Sequence, residues 1–150
     1  MNAQRGFTLI EVLMVVTILG VLLVIAVPAY NDYTSRAKIV EAHAQLSDIR
    51  VKMEQFYQDN RNYGTGTCGT TAGGVTTVPM PNAKYFTYGC ALGGGGQSFT
   101  LSALSKAPAL GAAAGDYTFT INEANAKATT KFKGAASTIG CWIVKKGDPC

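Results

Sequence analysis

The pattern of apolar and polar positions changes twice along the chain. From Phe7 to Ala29 it is almost unbroken: 23 residues carry one charge, Glu11, and no polar stripe at helical spacing. At a rise of about 1.5 Å per residue, a helix of that length reaches about 34 Å, enough to cross a hydrocarbon core of about 30 Å. A helix apolar on every face has nowhere to hide in a domain of this size, so the run predicts membrane insertion. Pro28 lacks an N–H and predicts a kink or local loosening near the end of the run, which membrane helices tolerate where neighbours compensate.

After the run the pattern becomes amphipathic. Ile39, Ala42, Leu46, Ile49, Met53 and Phe56 recur at alternating spacings of three and four, one apolar stripe of a helix. Lys38, Glu41, Gln45, Asp48, Lys52, Gln55 and Asp59 read as the opposite, polar stripe, with Asp48 and Lys52 in the favourable i,i+4 order. Asn60, Asn62 and Gly64 end the helix, so Phe7 to Asn60 predicts one helix of about 80 Å. Residues 61–84, rich in Gly, Thr and Pro, read as an irregular loop with at most a short strand. Beyond it the period drops to two. Strands are predicted at Lys84–Tyr88, around Phe99, Leu101 and Ala103, around Tyr117, Phe119 and Ile121, at Thr129–Lys133, and finally at Cys141–Val144. Gly93–Gly96 is expected to be the turn of a hairpin. It lacks the Lys-Ser/Thr and the helix that a phosphate-binding loop needs. The fold class is therefore α+β: one long N-terminal helix, spanning and then amphipathic, packed on a four- to five-stranded antiparallel sheet.

Composition narrows the chemistry. In 150 residues there is room for an anchor and one head domain, and the net charge of +4 is mild. The four cysteines, Cys68, Cys90, Cys141 and Cys150, form no Cys-x-x-Cys, and the only histidine, His43, lies far from them. That argues against a metal site and for disulfides in an oxidising compartment. Three connectivities are open; closeness in sequence favours Cys68–Cys90 and Cys141–Cys150. His43, beside Glu41 and Gln45, reads as a surface or interface residue. With no nucleophile motif, no carboxylate pair and no nucleotide loop, the chain is expected to be no enzyme and to need no cofactor. Lys127, Lys131, Lys133, Lys145 and Lys146 crowd the last quarter, and Tyr85, Tyr88, Tyr117 and Trp142 are aromatics that could interleave with them. Lys131, Lys133, Lys145 and Lys146 are thus candidate DNA contacts through phosphates and stacking. The simpler reading, and the one the sequence favours, is that they keep a sheet edge soluble.

Glu11 is the anomaly of the apolar run. A carboxylate inside a spanning helix costs up to about 2.5–3.5 kcal/mol, so it needs an interfacial position, a proton or a cationic partner. No cation lies within the run. A cut just before Phe7 would create an α-amino group at the helix start, where a cation opposes the helix dipole and gains from a carboxylate. That partner could come from the same chain or from a neighbour.

Arg5-Gly6-Phe7-Thr8-Leu9-Ile10-Glu11, a short basic leader ahead of an apolar run, resembles the prepilin motif of type IV pilins. The likeness continues through Gly20 and Pro28 and is dense over about the first 60 residues. It implies a leader at 1–6, an assembly helix at 7–29 and a head at 30–150, with the amphipathic helix at 30–60, the loop at 61–84 and the sheet at 85–150. It implies a prepilin peptidase that cuts after Gly6 and N-methylates Phe7, and pairing of Glu11 with the amine of an adjacent subunit. Loss of helical order between Gly20 and Pro28 is implied in the assembled pilus, and closure of a C-terminal loop by a disulfide fits the family. The implied partners are further copies and other pilins in a filament, the inner membrane before assembly, and host surfaces or DNA. The implied function is a pilus subunit for adhesion and twitching motility that ends in an extracellular fimbrium. The alternatives are a minor pilin that receives DNA in natural transformation and a pseudopilin of type II secretion. An ordinary secretory signal cut after Ala29 fits less well, because the run is too long, contains Glu11 and places Pro28 beside the cut.

Overall fold

The computed structural model describes residues 8–110 and 113–150, so Gly6 and Phe7 lie outside the described residues. One helix, α1 (Leu9–Asn60), is followed by five strands: β1 (Phe86–Gly93), β2 (Ser98–Ser105), β3 (Thr118–Asn122), β4 (Lys127–Phe132) and β5 (Ala135–Ile139). They form a single antiparallel sheet in the order β1-β2-β3-β4-β5, a plain meander. Two compact units divide between Ser35 and Arg36.

In the first unit, Thr8 caps the helix. Its Oγ1 accepts from the backbone N–H of Glu11 at 3.4 Å, and its carbonyl accepts from Val12. Thr8-Leu9-Ile10-Glu11 is thus a capping-box sequence, a signal present in the chain but masked by the reading of Glu11 as an assembly residue. The helix continues through Gly20 and Pro28 without interruption. Its aliphatic side chains from Leu9 to Val27 are more than half exposed, which suits lipid and not water.

In the second unit, the predicted apolar stripe is the buried one: Ile39, Ala42, Leu46, Ile49, Met53 and Phe56 are nearly inaccessible. They face a sheet surface made of Phe86, Tyr88, Phe99, Leu101, Ala103, Phe119 and Ile121, the alternate positions of β1, β2 and β3. The polar stripe is displaced from its expected place. At about 100° per residue it lies about a quarter-turn from the core stripe, and the face opposite the core carries Ala37, Val40, Ala44 and Val51, all exposed. Asp48 and Lys52 do pair, at 2.7 Å, with both side chains half exposed, so the contribution is small.

The loop at 61–84 carries the isolated bridges Thr70–Thr76 and Asn82–Thr87 in place of a regular strand. It is fastened by burial of Tyr63 and Val78 and by the Cys68–Cys90 disulfide to β1. The glycine run makes the expected hairpin turn, with Gly94, Gly95 and Gly96 all at positive φ. A side chain at Gly96 would also bring its Cβ to 2.8 Å from the Gly64 carbonyl oxygen, so the turn and the loop meet backbone to backbone.

The last strand is not where the pattern put it. Cys141–Val144 is irregular, and the fifth strand is Ala135–Ile139. Lys133 and Gly134, at positive φ, turn the chain straight back on β4, so the small residues that follow take the pairing. The apolar character of Cys141–Val144 serves docking instead. Ile143 is buried, and Thr129, fully buried in β4, holds the segment through its hydroxyl. That hydroxyl donates to the Cys141 carbonyl at 2.7 Å and accepts from the Ile143 N–H at 3.2 Å.

Candidate nucleic-acid interface

Chemistry in the second unit is concentrated in its cations, and their partners separate them into two groups. Arg50 is spent on the fold: it donates to the carbonyls of Asn122 and Glu123 and pairs with Glu54. Lys52 pairs with Asp48. Lys38 and Lys106 donate to the carbonyls of Ala109 and Ala83, each at 2.7 Å. Lys127 lies 4.7 Å from the centre of the Trp142 ring. Lys131, Lys133, Lys145, Lys146 and Arg61 make no ion pair among the described residues, and all but Lys131 are exposed.

Two elements position the free lysines. Lys131 stands on the sheet face away from α1, opposite Thr118 on β3 and Ala136 on β5, and Lys133 follows at the β4–β5 turn. Lys145 and Lys146 are carried by the loop that the Cys141–Cys150 disulfide closes. Inside that loop the Asp148 carboxylate accepts from the N–H groups of Val144 and Lys145, at 3.0 and 2.6 Å, so the acid is occupied by backbone. The loop is tied to the middle of β4 by Thr129. The four lysines thus lie on two segments, the β4–β5 hairpin and the disulfide-closed loop, and Thr129 fastens one to the other.

The aromatics expected among them are mostly elsewhere. Tyr88 and Tyr117 are in the core, and burial, with Glu41 nearby, pushes the Tyr88 hydroxyl up to about 12. Tyr85 lies with Lys38 and Lys84. Of the four, Trp142 is the one on the disulfide-closed loop that carries Lys145 and Lys146. Its Nε1–H donates to the Thr120 carbonyl at 2.8 Å, which fixes the indole over β3. One face stacks on His43 at 4.8 Å between centroids, and His43 in turn meets Phe119 edge-on at 4.5 Å. His43 is accordingly no surface residue. It is half-buried between two rings, and its Nε2 is buried without a partner among the described residues. Burial, and then the charge of Lys127, lower its pKa to about 4. Nothing in the spacing of the helix marks this: a neutral imidazole beside the core stripe becomes visible only once Trp142 returns from the far end of the chain.

A second feature lies at the opposite side of the sheet. Arg61, Asn62, Gly64–Gly66, Leu92 and Gly95–Gln97 line an open groove of about 570 Å³. Arg61 follows the last helical residue in the left-handed conformation, φ 57°, and its guanidinium brings a cation to the rim.

Among the described residues there is no cluster of His, Cys, Asp or Glu able to hold a metal. The chain offers a helix for a membrane and a head with unneutralised positive charge.

Comparison with known proteins matches the N-terminal segment and the head separately. Residues 1–27 match the prokaryotic N-terminal methylation motif, and with the apolar helix this anchors the chain in the inner membrane before pilus assembly. Residues 28–116 match the family described as "Type IV minor pilin ComP, DNA uptake sequence receptor". That match stops short of the lysines on β4 and beyond. The chain is 41% identical over 78 residues to a fimbrial protein of Moraxella nonliquefaciens, covering 52% of this chain and 50% of that one. It is 36% identical over 103 residues to the type IV major fimbrial protein FimA of Dichelobacter nodosus, covering 69% and 60%. The chain spans about half the length of the first of these relatives. In structure it resembles the non-core minor pilin PilV of Neisseria meningitidis, with a TM-score of 0.51 at 18% identity over 73% of this chain and 98% of that one. The fold, the N-terminal motif and the span of the match lead to one conclusion: the chain belongs to the type IV pilins, in the minor pilin family described as ComP, DNA uptake sequence receptor.

Proposed function

We propose that the chain is a minor pilin that binds DNA for uptake. The observation that carries this is the family match over residues 28–116, whose description names a receptor for the DNA uptake sequence. The means would be electrostatic. Lys131, Lys133, Lys145 and Lys146 pair with no acid among the described residues, so phosphates can displace their counter-ions without breaking anything in the fold. Arg61 on the groove rim adds a donor fork suited to phosphate or a base edge. On this reading a prepilin peptidase cuts after Gly6 and methylates Phe7, Glu11 answers the freed amine of a neighbouring pilin, and the apolar helices pack together in a filament. The head is then displayed outside the cell.

The test is fluorescence anisotropy of the full-length protein in detergent with duplex DNA at several salt concentrations. Binding should weaken with salt. Replacing all four lysines by Gln should weaken it further and flatten the salt slope by about 0.9 for each phosphate left unneutralised. Arg61→Gln should act more on discrimination between duplex sequences than on the slope. Absence of salt-sensitive binding would overturn the reading.

A second reading, a bulk filament subunit serving adhesion and twitching motility, is favoured by the likeness to fimbrial proteins. Copy number in sheared pili separates the two. A minor pilin is sparse, and a bulk subunit dominates.

A further inference from the structure

Two ammonium groups lie over Tyr85 and a third sits on the carbonyl of Ala83, two residues before it, and neither the proposed DNA surface nor assembly uses them. The Lys38 and Lys84 nitrogens lie 5.0 and 5.3 Å from the centre of the Tyr85 ring. Lys106 is fixed beside them. Its backbone N–H donates to the Tyr85 carbonyl at 2.9 Å, and its Nζ donates to the carbonyl of Ala83 at 2.7 Å. Lys38 is held the same way, through Nζ on the Ala109 carbonyl. Carbonyls and a ring face steer a cation without neutralising it. None of the three forms an ion pair among the described residues. Glu41, nearly a turn beyond Lys38 on α1, is the closest acid along the helix and does not reach it. Each ammonium has three donors, so at least two on each remain for something outside.

The position in the chain says what that something is. The apolar run ends at Ala29, and Tyr30 and Tyr33, 69% and 74% exposed, follow at once, as aromatics do at the headgroup level of a bilayer. Lys38 is nine residues past Ala29. Even fully extended, nine residues span no more than about 30 Å. The tether therefore keeps a tricationic site without acidic partners within reach of the membrane surface, at an effective concentration on the order of millimolar.

We propose that Lys38, Lys84 and Lys106, set around Tyr85, form a docking site for anionic phospholipid headgroups. The site takes phosphates from the leaflet that the chain has just left and holds the head domain to the bilayer until the pilin is drawn into a filament.

The test uses the full chain in nanodiscs of phosphatidylcholine with and without phosphatidylglycerol, read by hydrogen exchange at residues 84–86 and 106–110. Phosphatidylglycerol should slow exchange there by about fivefold or more. High salt should reverse the effect. Lys38→Gln, Lys84→Gln and Lys106→Gln together should abolish it, while the three Lys→Arg replacements keep it. Exchange at Phe99–Leu101 monitors the fold of each variant. Should the Gln variant lose that protection, the wild-type lipid and salt dependence and the Arg variant still decide. Equal exchange in the two nanodiscs, or slowing that survives in a folded Gln variant, would overturn the proposal. So would duplex DNA protecting these segments on phosphatidylcholine nanodiscs where phosphatidylglycerol does not. Lysines 131, 133, 145 and 146 play no part in this readout, so its failure and that of DNA binding are distinguishable.

Discussion

His43 shows how much a single residue can change meaning between sequence and fold. Along the helix it is one polar position beside Glu41, but in the head it lies between Phe119 and Trp142 with Nε2 cut off from water. The Trp142 ring would ordinarily welcome an imidazolium, yet its π-system is already shared by Lys127 at 4.7 Å. Desolvation and that lysine lower the His43 pKa from 6.5 to about 4. The unfolded chain therefore takes up a proton, between pH 6.5 and about 4, that the folded chain refuses. The stability tied to the neutral ring is complete above the unfolded pKa and drains away as pH falls toward the folded one. Below about 4 both states carry the proton and the loss stops. In urea titrations of the full chain in detergent, the wild-type midpoint should fall across that window by more than the midpoint of His43→Gln does. Parallel curves would mean that the imidazole is hydrated in the folded state.

At the scale of elements, legibility followed periodicity. The stripe from Ile39 to Phe56 and the alternation in β2 and β3 were readable because each buries one face against the other, and burial at a fixed period leaves a mark in the sequence. β5 left none. Ala135–Ile139 is small, uncharged and mostly exposed, and it is a strand only because the turn at Lys133 and Gly134 aims it along β4. Cys141–Val144 misled for the opposite reason, since its apolar residues are buried by docking and not by pairing. The docking depends on Thr129, whose hydroxyl is both donor and acceptor to that segment. Thr129→Val keeps the shape and strands the Cys141 carbonyl and the Ile143 N–H. It should cost about 1–3 kcal/mol in chemical denaturation. It should also speed tryptic cleavage after Lys145 and Lys146 while both disulfides stay closed. Unchanged cleavage would place the anchor in Ile143 and Trp142 alone.

For the molecule as a whole, the open question is why an acid is tolerated in the apolar run, and Glu11 has two answers that differ in what they require. One is the capping box, in which the side chain three residues past the cap accepts from the cap's own N–H, a role glutamine fills as well. As the partner of a neighbour's N-terminal amine it works through charge, which glutamine lacks. Glu11→Ala removes both roles, so its failure to assemble would not say which matters. Glu11→Gln separates them. If pairing across subunits governs assembly, Glu11→Gln should insert into the inner membrane at wild-type levels and be largely missing from sheared pili, as Glu11→Ala is. If capping governs it, Glu11→Gln should be recovered in pili at the wild-type ratio and only Glu11→Ala should be lost. Quantifying the chain in membrane and sheared fractions reads both variants at once. The insertion scale favours the first outcome: removing a carboxylate from lipid makes the membrane state easier by up to about 2.5–3.5 kcal/mol, so either variant should be better housed in the bilayer. A subunit more comfortable alone has lost part of the drive to join a filament, and that loss is what the charge, and not the cap, would have provided.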